Sequence, residues 1–204
     1  MKKTVNIAVF VSGGGTNLQA LWDAQANGKI PHGKIVLVLS NSRGAYALTR
    51  AKNAGVETAV VVKKEEGSQQ KFEEKIRAVL TEKKIDIIVL AGFLAILSGE
   101  FTARYEKRII NVHPSLIPSF CGQGFYGLRV HEAALSRGVK VTGATVHFVN
   151  EIPDGGEIIL QKPVEVKDGD TPEVLQRRVM EEAEWIILPA ACEKVCKLLT
   201  EEAL

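Results

Sequence analysis

Cysteine is scarce in this chain. Cys121, Cys192 and Cys196 are the only three among 204 residues, too few and too scattered for a disulfide framework or a zinc pattern. The reducing cytosol, hence a cytoplasmic location, is the simplest compartment for such a protein. An excess of one charge is missing too: 26 Lys plus Arg face 24 Asp plus Glu, a net charge of +2. That balance argues against a nucleic-acid partner but leaves room for a small anion held locally. Long apolar runs are absent. Val5 to Val11 is a short run stopped by Ser12-Gly13-Gly14-Gly15, which is a strand, neither a signal peptide nor a membrane span. No repeat, low-complexity tract or linker divides the chain, so residues 1–204 read as a single domain. No convincing cluster of metal ligands stands out, and no metal is expected.

What is present is alternation. Val5 to Val11, Ile35 to Leu39, Val56 to Val62 and Asp86 to Leu90 read as buried strands. Between them Leu18, Leu21 and Trp22, then Gly44 to Ala54, then Phe72, Ile76, Val79 and Leu80 recur at helical spacing. Strand and helix in turn imply right-handed crossovers and an α/β fold, a mostly parallel twisted sheet flanked by helices. Val139 to Val149 alternates as a half-buried strand, with Glu157 to Gln161 as its antiparallel hairpin partner in the C-terminal half. Thr171-Pro172-Glu173 opens a long helix that Pro189 should kink or interrupt.

Three stretches carry possible chemistry. Three glycines before a helix let backbone N–H groups approach an anion, and phosphate is the natural guest. The loop lacks what a nucleotide motif needs: Leu18 stands where a dinucleotide fingerprint has glycine or alanine, no lysine follows, and Ser40-Asn41-Ser42-Arg43 offers no acid for a ribose diol. A turn that merely packs helix to strand is the plain alternative. Ile109-Ile110-Asn111-Val112-His113 then ends at Pro114, so Asn111 and His113 share one side at the carboxyl end of a strand, where open α/β sheets bind ligands. Asp154 in Pro153-Asp154-Gly155-Gly156 is either functional or a favoured turn residue, and His147 could serve only to bond into that turn. His131 reads as a surface or packing histidine, and His32 as a loop residue with no visible partner. Cys192 and Cys196 share a helical face and read as packing residues. Cys121 has nothing beside it to activate a thiol.

The run Asn111-Val112-His113-Pro114-Ser115-Leu116-Ile117-Pro118, with Thr145-Val146-His147-Phe148-Val149 and Asp154-Gly155-Gly156, resembles the signature of the folate-dependent formyltransferases. The resemblance extends from about Val5 to about Pro189 and implies the family's Rossmann-like fold. It assigns Asn111, His113 and Asp154 to catalysis and Gly15, Thr16 and Asn17 to a substrate phosphate. Leu94, Ala95, Ile96 and Leu97, with Asn111, Asn150, Glu151, Ile152, Pro153 and Asp154, would meet the pterin. By side chains alone, Phe93 to Leu97 would instead be plain core. His147 and Ser115 would support the site, and Glu184 would contact the ribonucleotide. The implied reaction moves a formyl group from 10-formyltetrahydrofolate to the amino group of glycinamide ribonucleotide. The implied enzyme is a monomer or homodimer, with phosphate binding in roughly residues 1–100 and catalysis and folate binding in roughly residues 101–190.

The chain departs from the family pattern in four places. Ala95 and Gln69 stand where members often have arginine, Trp185 stands where histidine is usual, and the glycine-rich loop from Ser119 to Gly127 is longer. Other readings stay open. Methionyl-tRNA formyltransferases and formyltetrahydrofolate deformylases share Asn-His-Asp but carry additional domains that this length does not accommodate. A nucleotide-dependent oxidoreductase and a non-catalytic phosphate- or folate-binding module are the others.

Overall fold

A computed structural model describes residues 4–201. The first strand is β1 (Val5–Val11), β-branched or apolar at every position but Asn6. Around it the chain alternates as the periodicity predicts: α1 (Thr16–Ala26), β2 (Gly33–Ser40), α2 (Tyr46–Asn53), β3 (Glu57–Val60), α3 (Lys63–Glu66), α4 (Gln69–Glu82), β4 (Ile87–Leu90), α5 (Gly99–Arg104) and β5 (Ile109–His113). The remainder is α6 (Leu128–Arg137), β6 (Val141–Phe148), β7 (Ile158–Glu165), α7 (Pro172–Val179) and α8 (Trp185–Glu201). The seven strands form one sheet in the order β3-β2-β1-β4-β5-β6-β7. Strands β1 to β5 pair in parallel, while β5–β6 and β6–β7 are antiparallel, which is the expected mixed sheet.

Alternation along β1 divides the interior in two. Ile7, Val9 and Val11 pack with Leu18 and Leu21 of α1, Leu175 of α7 and Leu188 of α8. Ala8 and Phe10 point the other way, against Phe72, Ile76 and Leu80 of α4 and Phe101 of α5. A sheet covered on both faces needs apolar residues at consecutive positions, and β1 and β4 have them. Helix starts follow local chemistry: Ser68 and Thr171 accept from the N–H groups of Lys71 and Val174, with Pro172 in the first turn of α7.

Three expectations are corrected. Strand β6 is not half-buried: Thr142 to His147 are all buried, because the segment from Ser115 to Ile117 covers the face expected to meet solvent. Thr145 Oγ1 ties that segment down, donating to the Ser115 carbonyl at 2.7 Å and accepting from Ile117 N at 3.1 Å. Pro189 does not interrupt α8. The irregularity falls one turn earlier, as a wide π-helical turn over Met180–Glu184, just before the carbonyl of Trp185 that the proline ring would otherwise crowd. His32 has a partner: its backbone N–H and Nδ1 meet the Glu193 carboxylate at 3.2 and 2.5 Å. Cys192 and Cys196 are buried packing residues, as expected. Among the described residues no helix is long and apolar enough to cross a membrane.

Candidate active site

The carboxyl ends of β1, β4 and β5 lie side by side, and the loops leaving them meet. Ser12 joins two of them: its N–H donates to the Gly92 carbonyl at 3.1 Å, and its hydroxyl accepts from Leu94 N at 2.8 Å and donates to Asn41 Oδ1 at 2.7 Å. The glycine loop and the Leu94 loop are therefore tied together at the rim of a crevice.

The third loop carries the polar cluster. Strand β5 pairs with β6 so that Asn111 lies opposite His147, and Asn111 Nδ2 is 3.2 Å from His147 Nε2. His147 Nδ1 is 2.7 Å from the Phe148 carbonyl; it must donate there, which leaves Nε2 to accept from the Asn111 amide. Asp154 reaches both histidines, with Oδ2 3.4 Å from His113 Nδ1 and Oδ1 3.5 Å from His147 Nε2. It sits in the turn after β6 with φ 56°, a conformation aspartate tolerates better than most residues. The turn closes tightly: a Cβ on Gly156 would lie 1.8 Å from the Phe148 carbonyl oxygen. The plain turn reading of Asp154 is thus correct as geometry, and the same turn aims the carboxylate at two imidazoles.

His113 is held by backbone that sequence patterns do not reveal. Its Nε2 donates to the Phe120 carbonyl at 2.9 Å, and Gly122 N donates to Asp154 Oδ2 at 2.9 Å. The Ser119–Gly127 loop thereby orients both side chains, and Ser115, fully buried, anchors it by donating to the Ser119 carbonyl at 2.5 Å. With the Nε2 proton committed, Nδ1 is the nitrogen left to face Asp154. Burial holds the His113 imidazole below its usual pKa, outweighing the pull of Asp154 and of the Phe120 carbonyl. For Asp154, burial acts to raise the pKa, yet it lies below the usual carboxylate value; with His147 Nε2 and His113 Nδ1 both unprotonated at rest, the Gly122 N–H is the group that donates to the charged form. The carboxylate is ionised and the imidazole neutral at neutral pH. Burial raises the Cys121 thiol, which is not activated.

On the glycine side, Gly15 adopts φ 76° just before α1. A side chain there would bring Cβ within 2.7 Å of Ala47 Cβ. Glu184, brought inward by the π turn, accepts from Asn17 Nδ2 at 2.7 Å. Burial pushes this carboxyl above its usual pKa against the opposing effect of Asn17. A cleft of about 780 Å³ continues outward past Thr16, Gln19, Arg50 and Trp185. On the opposite flank, Leu94 and Ile96 are 65% and 67% exposed while Leu97 is buried, so this run is not plain core. A second cleft of about 700 Å³ opens along Leu94, Ala95 and Ile96.

Glu73 of α4 fixes that wall, and no sequence signal marked it, because an acid on an amphipathic helix reads as solvated. Its carboxylate is buried, accepting from Ser98 N and Ser98 Oγ at 2.6 Å each and from Gln69 Nε2 at 2.5 Å; Gln69 also donates to the Ile96 carbonyl at 3.0 Å. Of the sequence candidates, Asn111, His113, His147 and Asp154 converge, and Asn17 meets Glu184. Asn150 folds back on its own turn, its Oδ1 accepting from Ile152 N at 2.9 Å, while Glu151, Ile152 and Pro153 are exposed on that turn. Among the described residues no group of three or more His, Cys, Asp or Glu is arranged to hold a metal ion.

Sheet and crevice together define a Rossmann-like α/β protein whose polar cluster is suited to noncovalent acid–base chemistry. The chain belongs to the formyl transferase family, whose model matches residues 5–191. It is 41% identical over 204 residues to phosphoribosylglycinamide formyltransferase of Haemophilus influenzae, covering 100% of this chain and 90% of that one. It is 46% identical over 191 residues to the trifunctional purine biosynthetic protein adenosine-3 of Gallus gallus, covering 94% of this chain but only 18% of that much longer protein. The crystal structure of phosphoribosylglycinamide formyltransferase from Brucella melitensis superposes with a TM-score of 0.86 at 42% identity, over 95% of this chain and 96% of that one.

Proposed function

We propose that this chain transfers the formyl group of 10-formyltetrahydrofolate to the amino group of glycinamide ribonucleotide, in de novo purine biosynthesis. The products are formylglycinamide ribonucleotide and tetrahydrofolate. The observation that carries this is the convergence of Asn111, His113 and Asp154 between an anion-ready glycine loop and an apolar wall, in a chain alike over its whole length to a transferase of that name. The N-terminal half supplies the phosphate site, Gly15 to Asn17, with Glu184 reaching in from the C-terminal helix toward the ribonucleotide. The second half supplies catalysis and, with Leu94 to Leu97 and the 150–154 turn, the folate site. The exposed apolar side chains of Leu94, Ile96 and Ile152 suit a flat ring system. The three cysteines are free, in keeping with a cytoplasmic setting, and no metal is required.

Negative charge develops on the formyl oxygen as the amine attacks. Asn111 has one amide N–H engaged with His147 and a second to donate to that oxygen. His113 works through Nδ1. Neutral at rest, it takes up a proton from solvent as the substrates bind, Asp154 and the developing oxyanion favouring the charged ring; it donates from Nδ1 to that oxygen and returns the proton to solvent when the products leave. Asp154 stays ionised and relays a proton, by way of water, from the attacking amine to the folate nitrogen that leaves. One C–N bond forms, one breaks, and no electron changes hands.

The test is absorbance-monitored release of the folate product, with and without glycinamide ribonucleotide. Release that depends on the ribonucleotide is expected. Release in its absence would identify a deformylase, and silence with both substrates would remove this reading.

A further inference from the structure

The glycine loop contains no cation, yet its proposed guest is a phosphate monoester carrying up to two negative charges. The N-terminus of a helix offers the equivalent of only about half a positive charge. Arg50, on α2, stands behind the loop. Its Nε–H donates to the Gly14 carbonyl at 2.9 Å, Nη1 donates to Gln19 Oε1 at 3.2 Å, and the Tyr46 ring lies 5.1 Å from Cζ. Ala47 N, one turn earlier on the same helix, donates to the Gly13 carbonyl at 3.0 Å. Two successive loop carbonyls are therefore held from α2, beside the first N–H groups of α1, which have no partner within the helix.

The charge on Arg50 is uncompensated. Among the described residues it makes no ion pair; Asp23, the acid on α1, instead accepts from Gln19 Nε2 at 2.9 Å. Guanidinium and Thr16 also line the same cleft. An arginine fixed at two points, with no acidic partner, beside an anion-binding helix end does more than hold a turn.

We propose that Arg50 is the residue that sets the affinity for the substrate phosphate, by positioning the glycine loop and supplying its positive charge from the neighbouring helix. This rests on the ribonucleotide reading above. The effect belongs to ground-state binding of the phosphate end, so it falls on the KM for that substrate and spares the chemical step.

The experiment measures kcat and both KM values for the wild type, Arg50→Gln and Arg50→Lys, using glycinamide ribonucleotide and its dephosphorylated ribonucleoside. Arg50→Gln is expected to raise the ribonucleotide KM about 10- to 100-fold, the range of a charge-assisted hydrogen bond lost. The KM for the folate and kcat should stay close to wild type, and the preference for the phosphorylated substrate should collapse. Arg50→Lys, which keeps the charge without the fork, should fall between. Equal losses on both substrates, or an unchanged ribonucleotide KM, would reduce Arg50 to a structural residue. A second readout needs no turnover: inorganic phosphate should raise the melting temperature of the wild type and not of Arg50→Gln. If the wild type turns over neither substrate the functional reading fails, while the phosphate-dependent melting shift still decides the role of Arg50.

Discussion

Asp154 and His131 both sit near His113, and burial acts on them in opposite directions. For Asp154 it is overcome, with the Gly122 N–H donating to the charged form, so the carboxylate is ionised when the site is ready to work. Asp154→Asn keeps the shape of the turn and removes that charge; turnover should fall by about 10²–10⁴, the range of a general acid–base group, with an unchanged melting temperature. Full activity in this variant would return Asp154 to the role of turn residue. His131 is fully buried, neither ring nitrogen has a hydrogen-bond partner among the described residues, and burial together with the nearby His113 brings its pKa from 6.5 to about 4. Between those values the unfolded chain binds the proton that the folded one refuses, so stability rises with pH across the window and is fully present above about 6.5. The loss on acidification to pH 4 is on the order of 3 kcal/mol, at 1.36 kcal/mol per unit. Urea melts of His131→Leu should lack this part of the pH dependence; an undiminished slope would assign the acid sensitivity elsewhere.

Among the elements, α4 governs a wall of the crevice that it does not itself line. Glu73 holds Ser98 by two hydrogen bonds and keeps Gln69 against the Ile96 carbonyl. Removing the carboxylate leaves buried donors unpaired at a cost of roughly 1–3 kcal/mol. Glu73→Ala should therefore lower stability by that amount and raise the KM for the folate more than that for the ribonucleotide. Parallel rises in both KM values would mean the wall is held by other contacts. The loop over residues 119–127 acts similarly on the catalytic side, because its Phe120 carbonyl decides which nitrogen of His113 is available and its Gly122 N–H holds Asp154. The π turn before α8 does the same for Glu184. Each is a connection whose backbone, rather than its side chains, orients a functional group.

For the molecule as a whole, the sheet separates stability from chemistry. Phe72 lies wholly within the core on the α4 face, in a cluster that includes Leu97 and Ile109 but none of Asn111, His113 and Asp154. Phe72→Ala should cost about 3–5 kcal/mol by the usual transfer and cavity terms, read from denaturant midpoints, while kcat of the folded fraction holds. A matching fall in kcat per folded molecule would show the two to be coupled. Much of this organisation was legible beforehand. The strands of β1, β2 and β4, the glycine loop and the stop at Pro114 follow from rules acting within a few residues: apolar period, φ freedom and the missing proline N–H. Position alone could not tell whether Phe93 to Leu97 was core, because burial depends on what the rest of the chain places over it. The same limit explains why β6 looked half-exposed.

By itself the sequence determined an alternating α/β chain, an anion-ready loop after its first strand, and an amide and an imidazole on one side at the end of another. These are properties of single elements, set by contacts close along the chain. The tertiary structure alone decided that His113 works through Nδ1, that Glu73 is a buried anchor, that Arg50 backs the glycine loop, and that α8 runs through Pro189 behind a π turn. The Glu73 and Arg50 contacts join groups well apart in sequence, 25 residues for Glu73 and Ser98 and 36 for Arg50 and Gly14, and the Gly122 N–H that holds Asp154 is 32 residues from it; the Phe120 carbonyl lies only 7 from His113 but is held in place by the fold around its loop. Such hydrogen bonds form only where the packed sheet brings their partners within reach, and no local periodicity encodes that distance.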